Sequence, residues 1–199
     1  YYCDYEKFRN MLVESERGFD MDLIDKAYDF AYNAHKGQKR KSGVEYILHP
    51  VSVAEILFEL GMDTESLVAA LLHDVVEDTN VKLSDIKKEF SDSIANLIDG
   101  VTKIGQIPFS SREEEQAENI RKMLMAMADD IRVIIIKLAD RLNNMRTIAC
   151  MPDQKRIDKS LENMEVYVPI AHRLGITAVK EELEDISLKE LDPIGYKEI

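Results

Sequence analysis

Apolar residues recur at intervals of three and four along almost the whole chain, which is the period of an amphipathic helix. In residues 21–35 the apolar positions fall on one helical face, and Gly37 follows as a stop signal. Ser111 and Glu114 have the spacing of a capping box at the start of another helix. The same reading predicts further helices at 50–60, 65–78, 84–90, 91–101, 114–128, 130–148, 152–171 and 177–191.

The apolar run 131–136 also fits a buried strand when it is read alone. The helical pattern continues from this run without a break to Arg146, which is too long for a strand. No other run alternates apolar and polar residues as a half-exposed strand does. The chain is therefore predicted to be all-α, a helical bundle of about eight to ten helices.

Composition is that of an ordinary globular domain. The chain has 199 residues, of which 45% are hydrophobic, and this is enough to build one core without disulfides. Cys3 and Cys150 lack the spacing of a disulfide framework or a metal site, so we expect free thiols and a cytoplasmic location. No apolar stretch reaches the roughly 18 residues of a membrane helix, so no membrane partner is expected.

A basic cluster interrupts this acidic chain. The formal net charge is −12, yet the segment HKGQKRKSG at 35–43 places four cations within six positions. The acidic surface repels nucleic-acid backbones, and no extended basic stripe is present, so we expect no nucleic-acid partner. A small phosphorylated ligand suits a basic loop between two glycines, because the loop can close around phosphate groups. The alternative is a solvated basic loop without a ligand.

Four polar residues share one sector of the helix predicted at 65–78. At roughly 100° per residue, about 140° of its circumference holds all of them: His73, Asp74, Glu77 and Asp78. The rest of this helix is apolar and belongs to the core. The polar sector is therefore expected to face a cleft, where ionised carboxylates need a cation or strong hydrogen-bond donors. The alternative is an ordinary solvated carboxylate face.

A second polar stripe lies on the helix predicted at 130–148, where Asp140, Asn144 and Thr147 stand at i, i+4 and i+7. His49, in the loop before the helix at 50–60, supplies another imidazole. Together with His73 and Asp74, these residues make a set of two imidazoles and two carboxylates. This set suits Mn²⁺ or Fe²⁺ better than a closed tetrahedral zinc site. Taken alone, His49 is more simply explained as a helix-start histidine bonded to the backbone.

The order His…His-Asp…Asp is the signature of the HD phosphohydrolase superfamily, and the chain resembles the N-terminal hydrolase domain of the RelA/SpoT homologues. The resembling motifs lie between about Asp25 and Tyr196 and are GQKRKSG, YILHP, ALLHDVVEDT, DGVTKI, KLADRLNNMRT and YVPIAHRLGI. The resemblance implies an HD-domain bundle that hydrolyses guanosine tetra- and pentaphosphate alarmones to GDP or GTP plus pyrophosphate. It also implies a hydrolase domain at 1–175, and at 176–199 a helix and the start of a link toward a synthetase domain.

The same resemblance implies a cofactor and roles for individual residues. Mn²⁺ is the expected ion, with Fe²⁺ or Co²⁺ as alternatives. Glu77 and Asp78 are expected beside the attacked phosphate, Glu77 as general base toward water and Asp78 in handling a proton. The implied metal ligands are His49, His73, Asp74 and Asp140, and the implied nucleotide-binding residues are Arg40, Lys41, Ser42, Asn144 and Thr147.

One position departs from the family pattern. Asn143 stands where the family usually has histidine, at about 60° from Asp140 around the helix. A change there leaves the metal ligands in place but weakens a supporting hydrogen bond or a nucleotide contact. Two alternatives therefore stay open: a regulatory HD module that has lost hydrolysis, and another HD-type nucleotidase or phosphodiesterase.

Overall fold

The computed structural model describes residues 2–198, and within that range the chain is helical without a strand. Its helices are α1 Tyr5–Glu14, α2 Met21–Ala34, α3 Leu48–Glu59, α4 Thr64–Asp78, α5 Leu83–Glu89, α6 Asp92–Gln106, α7 Glu113–Asp129, α8 Arg132–Arg146, α9 Asp153–Glu162, α10 Val168–Arg173 and α11 Thr177–Leu191. A π-helical stretch, Asn163–Tyr167, joins α9 to α10, so the described residues form ten separate helices besides short 3₁₀ turns. The prediction of an all-α bundle is confirmed.

The described residues divide into two compact units, one ending at Asp140 and the other beginning at Arg141. The first unit is built around α4, in which every residue from Ser66 to Val75 is buried. Helices α2, α3 and α6 pack around α4, α1 packs on α3, and α7 packs on α6. Because α4 is enclosed on all sides, its polar residues His73 and Asp74 lie inside the core rather than on a wet surface.

In the second unit, the continuous helix formed by α9 and α10 packs against α11. The buried Arg141 lies here, with its Nη2 2.6 Å from Glu162 Oε2 and its guanidinium 4.5 Å from the centre of the Tyr167 ring. Burial raises the pKa of Glu162, but the charge of Arg141 outweighs burial and lowers it. The division into a hydrolase domain at 1–175 and a link at 176–199 stays a prediction.

The structure corrects the sequence-based predictions at the starts of α3 and α7, and it adds α1. Helix α3 begins at Leu48, so His49 lies in its first turn and not in a loop. The capping box predicted at Ser111 and Glu114 is wrong, because α7 begins after Arg112, whose side chain makes no capping hydrogen bond. Helix α1 was not predicted.

Among the described residues, no helix has both the length and the apolar character needed to cross a bilayer.

Helix α6 approaches the start of α8 closely at Gly100. A Cβ atom at this position would lie 2.7 Å from Val133 Cγ2, which is inside the normal contact distance of two carbon atoms. Val133 is 3% exposed and belongs to the core of the first unit. Farther along α6, a Cβ atom at Gly105 would meet only the flexible end of Lys137, at 3.3 Å from its Nζ. The absence of a side chain at Gly100 therefore sets the distance between α6 and the helix that carries Asp140.

We predict opposite effects for alanine at these two glycines. Both substitutions gain about 0.5–1 kcal/mol from helix propensity. Gly100→Ala also overpacks the contact with Val133, at a cost of about 1–3 kcal/mol, so it should lower the free energy of unfolding. Gly105→Ala should leave that free energy unchanged or raise it. Urea unfolding of the two variants checks this, and equal stability for both would contradict the close approach.

Candidate metal centre

Three residues from distant parts of the first unit meet in its core. His49 comes from the first turn of α3, His73 from α4 and Asp140 from α8, and one ligand atom from each lies within 4.8 Å of the other two. His49 Nε2 is 2.9 Å from Asp140 Oδ1, and His73 Nε2 is 3.4 Å from the same oxygen. All three side chains are buried. We call this set the buried trio.

The hydrogen bonding of His73 suits a metal ligand. Its Nδ1 donates to the carbonyl oxygen of Ala70, at 2.5 Å within the same helix, so in the neutral imidazole that binds a metal the lone pair is on Nε2. This Nε2 is buried and makes no hydrogen bond among the described residues, although carboxylate oxygens of Asp74 and Asp140 lie 3.1 Å and 3.4 Å from it. An unpartnered buried nitrogen is unfavourable in an apolar core, but it is what a ligand shows when its second nitrogen is fixed by a backbone carbonyl. The donor set, two imidazole nitrogens and a carboxylate, therefore fits a divalent metal ion.

Asp74, the fourth predicted ligand, contacts both imidazoles but is not a member of the buried trio. Its Oδ1 lies 3.1 Å from His73 Nε2, and its Oδ2 lies 3.6 Å from His49 Nε2. The structure thus brings all four predicted ligands close together. Asp74 lies one residue nearer than His73 to the exposed end of α4.

The electrostatics of the neighbourhood favour added positive charge. Burial raises the pKa of Asp140, but Lys137 and the two imidazoles hold it well below its ordinary value. Burial likewise raises the pKa of Asp74, and His73 outweighs burial and lowers it. The two carboxylates in turn overcome burial at His73 and raise its pKa well above the ordinary value. Two ionised carboxylates in a core thus favour the binding of a cation. A divalent cation compensates their charge more fully than a single proton does.

Two residues in contact with the predicted ligands were missed by the sequence analysis. Lys137 Nζ donates to Asp140 Oδ2 at 3.0 Å, and Tyr46 Oη lies 3.1 Å from Asp74 Oδ2. A lysine inside the apolar run of α8, three residues before Asp140, was a local signal that could have identified the first. Tyr46 begins the motif YILHP, but no local pattern indicated its partners, which lie 28 and 32 residues further along the chain.

Glu77 and Asp78 lie on the last turn of α4, beyond the buried residues, and both are exposed. They line an open groove of about 760 Å³ together with Gln38 and the 79–81 segment. Partial desolvation raises the pKa of Glu77 and the negative charge of Asp74 raises it further, against the effects of the Thr102 hydroxyl and Lys137. Asp78 Oδ2 accepts a hydrogen bond from Tyr46 Oη at 2.6 Å. Glu77 and Asp78, which we call the acidic rim, therefore lie at the exposed end of α4, and Asp78 shares the Tyr46 hydroxyl with Asp74.

The basic segment forms a tight turn. Arg40 N donates to the Val44 carbonyl at 2.9 Å, and Gly43 N donates to the Arg40 carbonyl at 2.9 Å. Gly43 has a φ of +85°, a conformation that favours glycine. Lys41 and Ser42 are exposed at its tip. The Arg40 guanidinium lies 5.6 Å from the centre of the Tyr46 ring, so Arg40 is linked to the centre through Tyr46.

Asn144 and Thr147 belong to the second unit. Asn144 lies one turn beyond Asp140 on α8, and Thr147 follows the end of that helix. The neighbouring Asn143 is fully buried. The assignment of Asn144 and Thr147 to a nucleotide stays a prediction.

Comparison with known proteins gives one family and a consistent set of relatives. The family model described as "HD domain" matches residues 27–177. The chain is 51% identical over 191 residues to the "Bifunctional (p)ppGpp synthase/hydrolase SpoT" of Escherichia coli K12, covering 96% of this chain and 27% of that protein. It is 51% identical over 176 residues to a "GTP pyrophosphokinase" of Streptomyces coelicolor, covering 88% of this chain and 20% of that protein.

A solved structure is also similar, that of a metazoan orthologue of SpoT described as hydrolysing ppGpp. It shares 26% sequence identity with this chain and superposes with a TM-score of 0.59, covering 88% of this chain and 95% of that one. The chain thus spans about a quarter or less of the two bacterial relatives, but nearly the whole of the metazoan one. The resemblance to RelA/SpoT homologues is confirmed.

We predict that a divalent ion stabilises the protein through the buried trio. Adding Mn²⁺ at about 100 times its dissociation constant to chelator-treated protein should raise the free energy of unfolding by about 2.7 kcal/mol. His49→Ala and Asp140→Asn should each abolish this gain, because each removes a ligand. Thermal unfolding with and without the ion measures it.

The matched control is His172→Ala, which removes an exposed histidine of the second unit. This variant should show the full increase in the free energy of unfolding when Mn²⁺ is added. If His49→Ala is stabilised by Mn²⁺ as much as the wild type is, the ion binds elsewhere.

Proposed function

The chain belongs to the HD domain family, and on that premise we propose that it is a metal-dependent hydrolase of guanosine 3′,5′-bis(diphosphate) and the corresponding pentaphosphate. The proposed reaction uses water to cleave the 3′ diphosphate from the ribose, which gives GDP or GTP plus pyrophosphate. The observation that carries the proposal is the convergence of His49, His73 and Asp140 beside an acidic rim and a basic turn. The relatives named for synthesis or hydrolysis of these nucleotides support the choice of substrate.

We assign the metal to His49, His73, Asp74 and Asp140, and Mn²⁺ is the ion we propose, with Fe²⁺ or Co²⁺ as alternatives. A mixed set of nitrogen and oxygen ligands with open positions suits these ions. When bound, such an ion supplies Lewis-acid chemistry, which polarises a phosphate and lowers the pKa of water. Lys137 keeps Asp140 ionised and oriented through their 3.0 Å hydrogen bond.

Glu77 is the proposed general base. It lies one turn beyond His73 and faces the groove, and its raised pKa makes it a better proton acceptor than an ordinary glutamate. Asp78 holds the attacking water or passes a proton toward the leaving 3′ oxygen. In this proposal the two exposed carboxylates transfer protons, and the buried residues bind the metal ion.

The basic turn is the proposed anion-binding element. Arg40, Lys41 and Ser42 present a guanidinium, an ammonium and a hydroxyl to the diphosphate groups, and Arg40 can also stack on the purine. Asn144 and Thr147 are proposed to contact the nucleotide, on the basis of the family resemblance and their spacing from Asp140. The substrate is thus bound by cations in an otherwise acidic chain, and we propose no nucleic-acid or membrane partner.

A longer protein is the proposed context of this domain, because the bacterial relatives extend well beyond the matched region. We propose a synthetase domain as its covalent neighbour. A cytoplasmic location is proposed on the two free thiols of Cys3 and Cys150.

Hydrolysis assays with the purified chain test the proposal. The tetraphosphate and pentaphosphate are incubated with Mn²⁺, with and without a chelator, beside a panel of ordinary nucleotides, and pyrophosphate release is measured. Selective, chelator-sensitive release supports the proposal. Metal binding without turnover of any nucleotide would favour a regulatory module, the alternative suggested by Asn143. Turnover of other nucleotides instead would favour a different HD-type phosphohydrolase.

We predict that Glu77→Gln lowers kcat by about 100-fold or more, the usual contribution of a general base. The stabilisation by Mn²⁺ should persist, because Glu77 is not among the assigned ligands. Steady-state kinetics and thermal unfolding measure the two effects. Glu113→Gln, at an exposed position at the start of α7, is the control. Full activity in Glu77→Gln would remove the assignment.

We predict a different kinetic signature for Asn144→Ala. Loss of a nucleotide contact should raise KM more than it lowers kcat, because such a contact binds ground state and transition state alike. Asn96→Ala, at an exposed position on α6, should change neither parameter. If kcat falls and KM holds, Asn144 instead acts at the reacting phosphate.

A further inference from the structure

Tyr46 stands between the basic turn and the acidic rim. It follows the turn directly, and its hydroxyl reaches the buried carboxylate of Asp74 and the exposed carboxylate of Asp78. The Oη–Oδ2 distance is 2.6 Å to Asp78 and 3.1 Å to Asp74. A phenol has one hydrogen, so the shorter distance assigns the donated bond mainly to Asp78.

A closed ring of contacts fixes this arrangement. The Tyr46 ring stacks on the buried His35 ring, with centres 4.6 Å apart, and His35 Nδ1 lies 2.9 Å from Gln38 Oε1. Gln38 Nε2 in turn donates to the backbone carbonyl of Asp78 at 2.9 Å. Asp78 is therefore held twice from the segment 35–46, by its backbone through Gln38 and by its carboxylate through Tyr46.

Asp78 needs such a restraint. It is exposed on the last turn of α4 and carries the same charge as Asp74, one turn earlier. Two carboxylates that approach one hydroxyl repel each other, and a free aspartate side chain would turn away into water. The Tyr46 hydroxyl is the donor that keeps Asp78 on the side of Asp74.

We propose that Tyr46 is a positioning residue, which holds the Asp78 carboxylate beside the metal centre and ties it to the phosphate-binding turn. This inference rests on the proposed function, since it gives Asp78 a part in the reaction. The Arg40 guanidinium lies over the same tyrosine ring. A ligand that engages Arg40 therefore acts on the residue that orients Asp78, and binding of anions and placement of the carboxylate are coupled.

Tyr46→Phe isolates the hydroxyl. The ring that stacks on His35 is retained, and so is the backbone bond from Tyr46 N to the Gln38 carbonyl at 3.1 Å. The fold should therefore be unchanged. Tyr32→Phe removes the hydroxyl of an exposed tyrosine of α2 and serves as the control.

The experiment compares Tyr46→Phe, Asp78→Ala and the double variant for kcat, KM and Mn²⁺ affinity. We expect Tyr46→Phe to lower kcat at least tenfold, with less than a threefold change in metal affinity. In the Asp78→Ala background, Tyr46→Phe should lower kcat less than twofold further, because it acts through Asp78. Multiplicative effects in the double variant, or full activity in Tyr46→Phe, would overturn the proposal.

A crystal structure of Tyr46→Phe supplies a readout that does not depend on turnover. The Asp78 carboxylate should leave the side of Asp74 in this variant and keep its place in the wild type. An unmoved Asp78 would refute the positioning role even in an active enzyme. Failure of the wild type to hydrolyse the alarmones would instead refute the proposed function and leave this measurement interpretable.

Discussion

The structure of the centre depends on the free-energy cost of keeping two carboxylates in an apolar core. Asp74 and Asp140 are 8% and 6% exposed, and an isolated charge at such a depth is strongly unfavourable. Imidazoles, a lysine and a tyrosine hydroxyl surround them, and each reduces that cost. None of these donors carries more than one positive charge, whereas a divalent cation can offset both carboxylates from one position. The burial of α4 is thus the constraint from which the chemistry of the centre follows.

Burial changes along α4, and the polar residues of its buried and exposed parts have different proposed roles. The buried middle of α4 carries His73 and Asp74, which belong to the charge-holding part of the centre, and its last exposed turn carries Glu77 and Asp78. One turn of helix, about 5.4 Å along the axis, separates the buried pair from the pair proposed to handle protons. The proposed metal ligands and the proposed proton-handling residues therefore lie side by side without a loop between them, and backbone hydrogen bonds of the helix fix their relative position.

The sequence alone predicted the helical class and the polar sector of α4, because both depend on local periodicity that tertiary packing did not override. The start of α3 was misplaced because proline fits any position of a first helical turn, where its missing N–H needs no partner. Helix α1 was not predicted because only two of its ten residues, Phe8 and Leu12, are buried, and they make a narrow apolar stripe. The convergence of His49 with Asp140 came from the resemblance, since no local pattern encodes a contact across 91 residues. Tyr46 was missed for the same reason.

That separation of 91 residues also affects the order of events during biosynthesis. The two imidazoles leave the ribosome well before α8 does, and until Asp140 follows, the nascent chain has no complete cluster. Domains tend to fold as units once their last element is available. Closure of the core around α4 and completion of the proposed ligand set should therefore be one late event, so a chain stalled before α8 would lack the cluster.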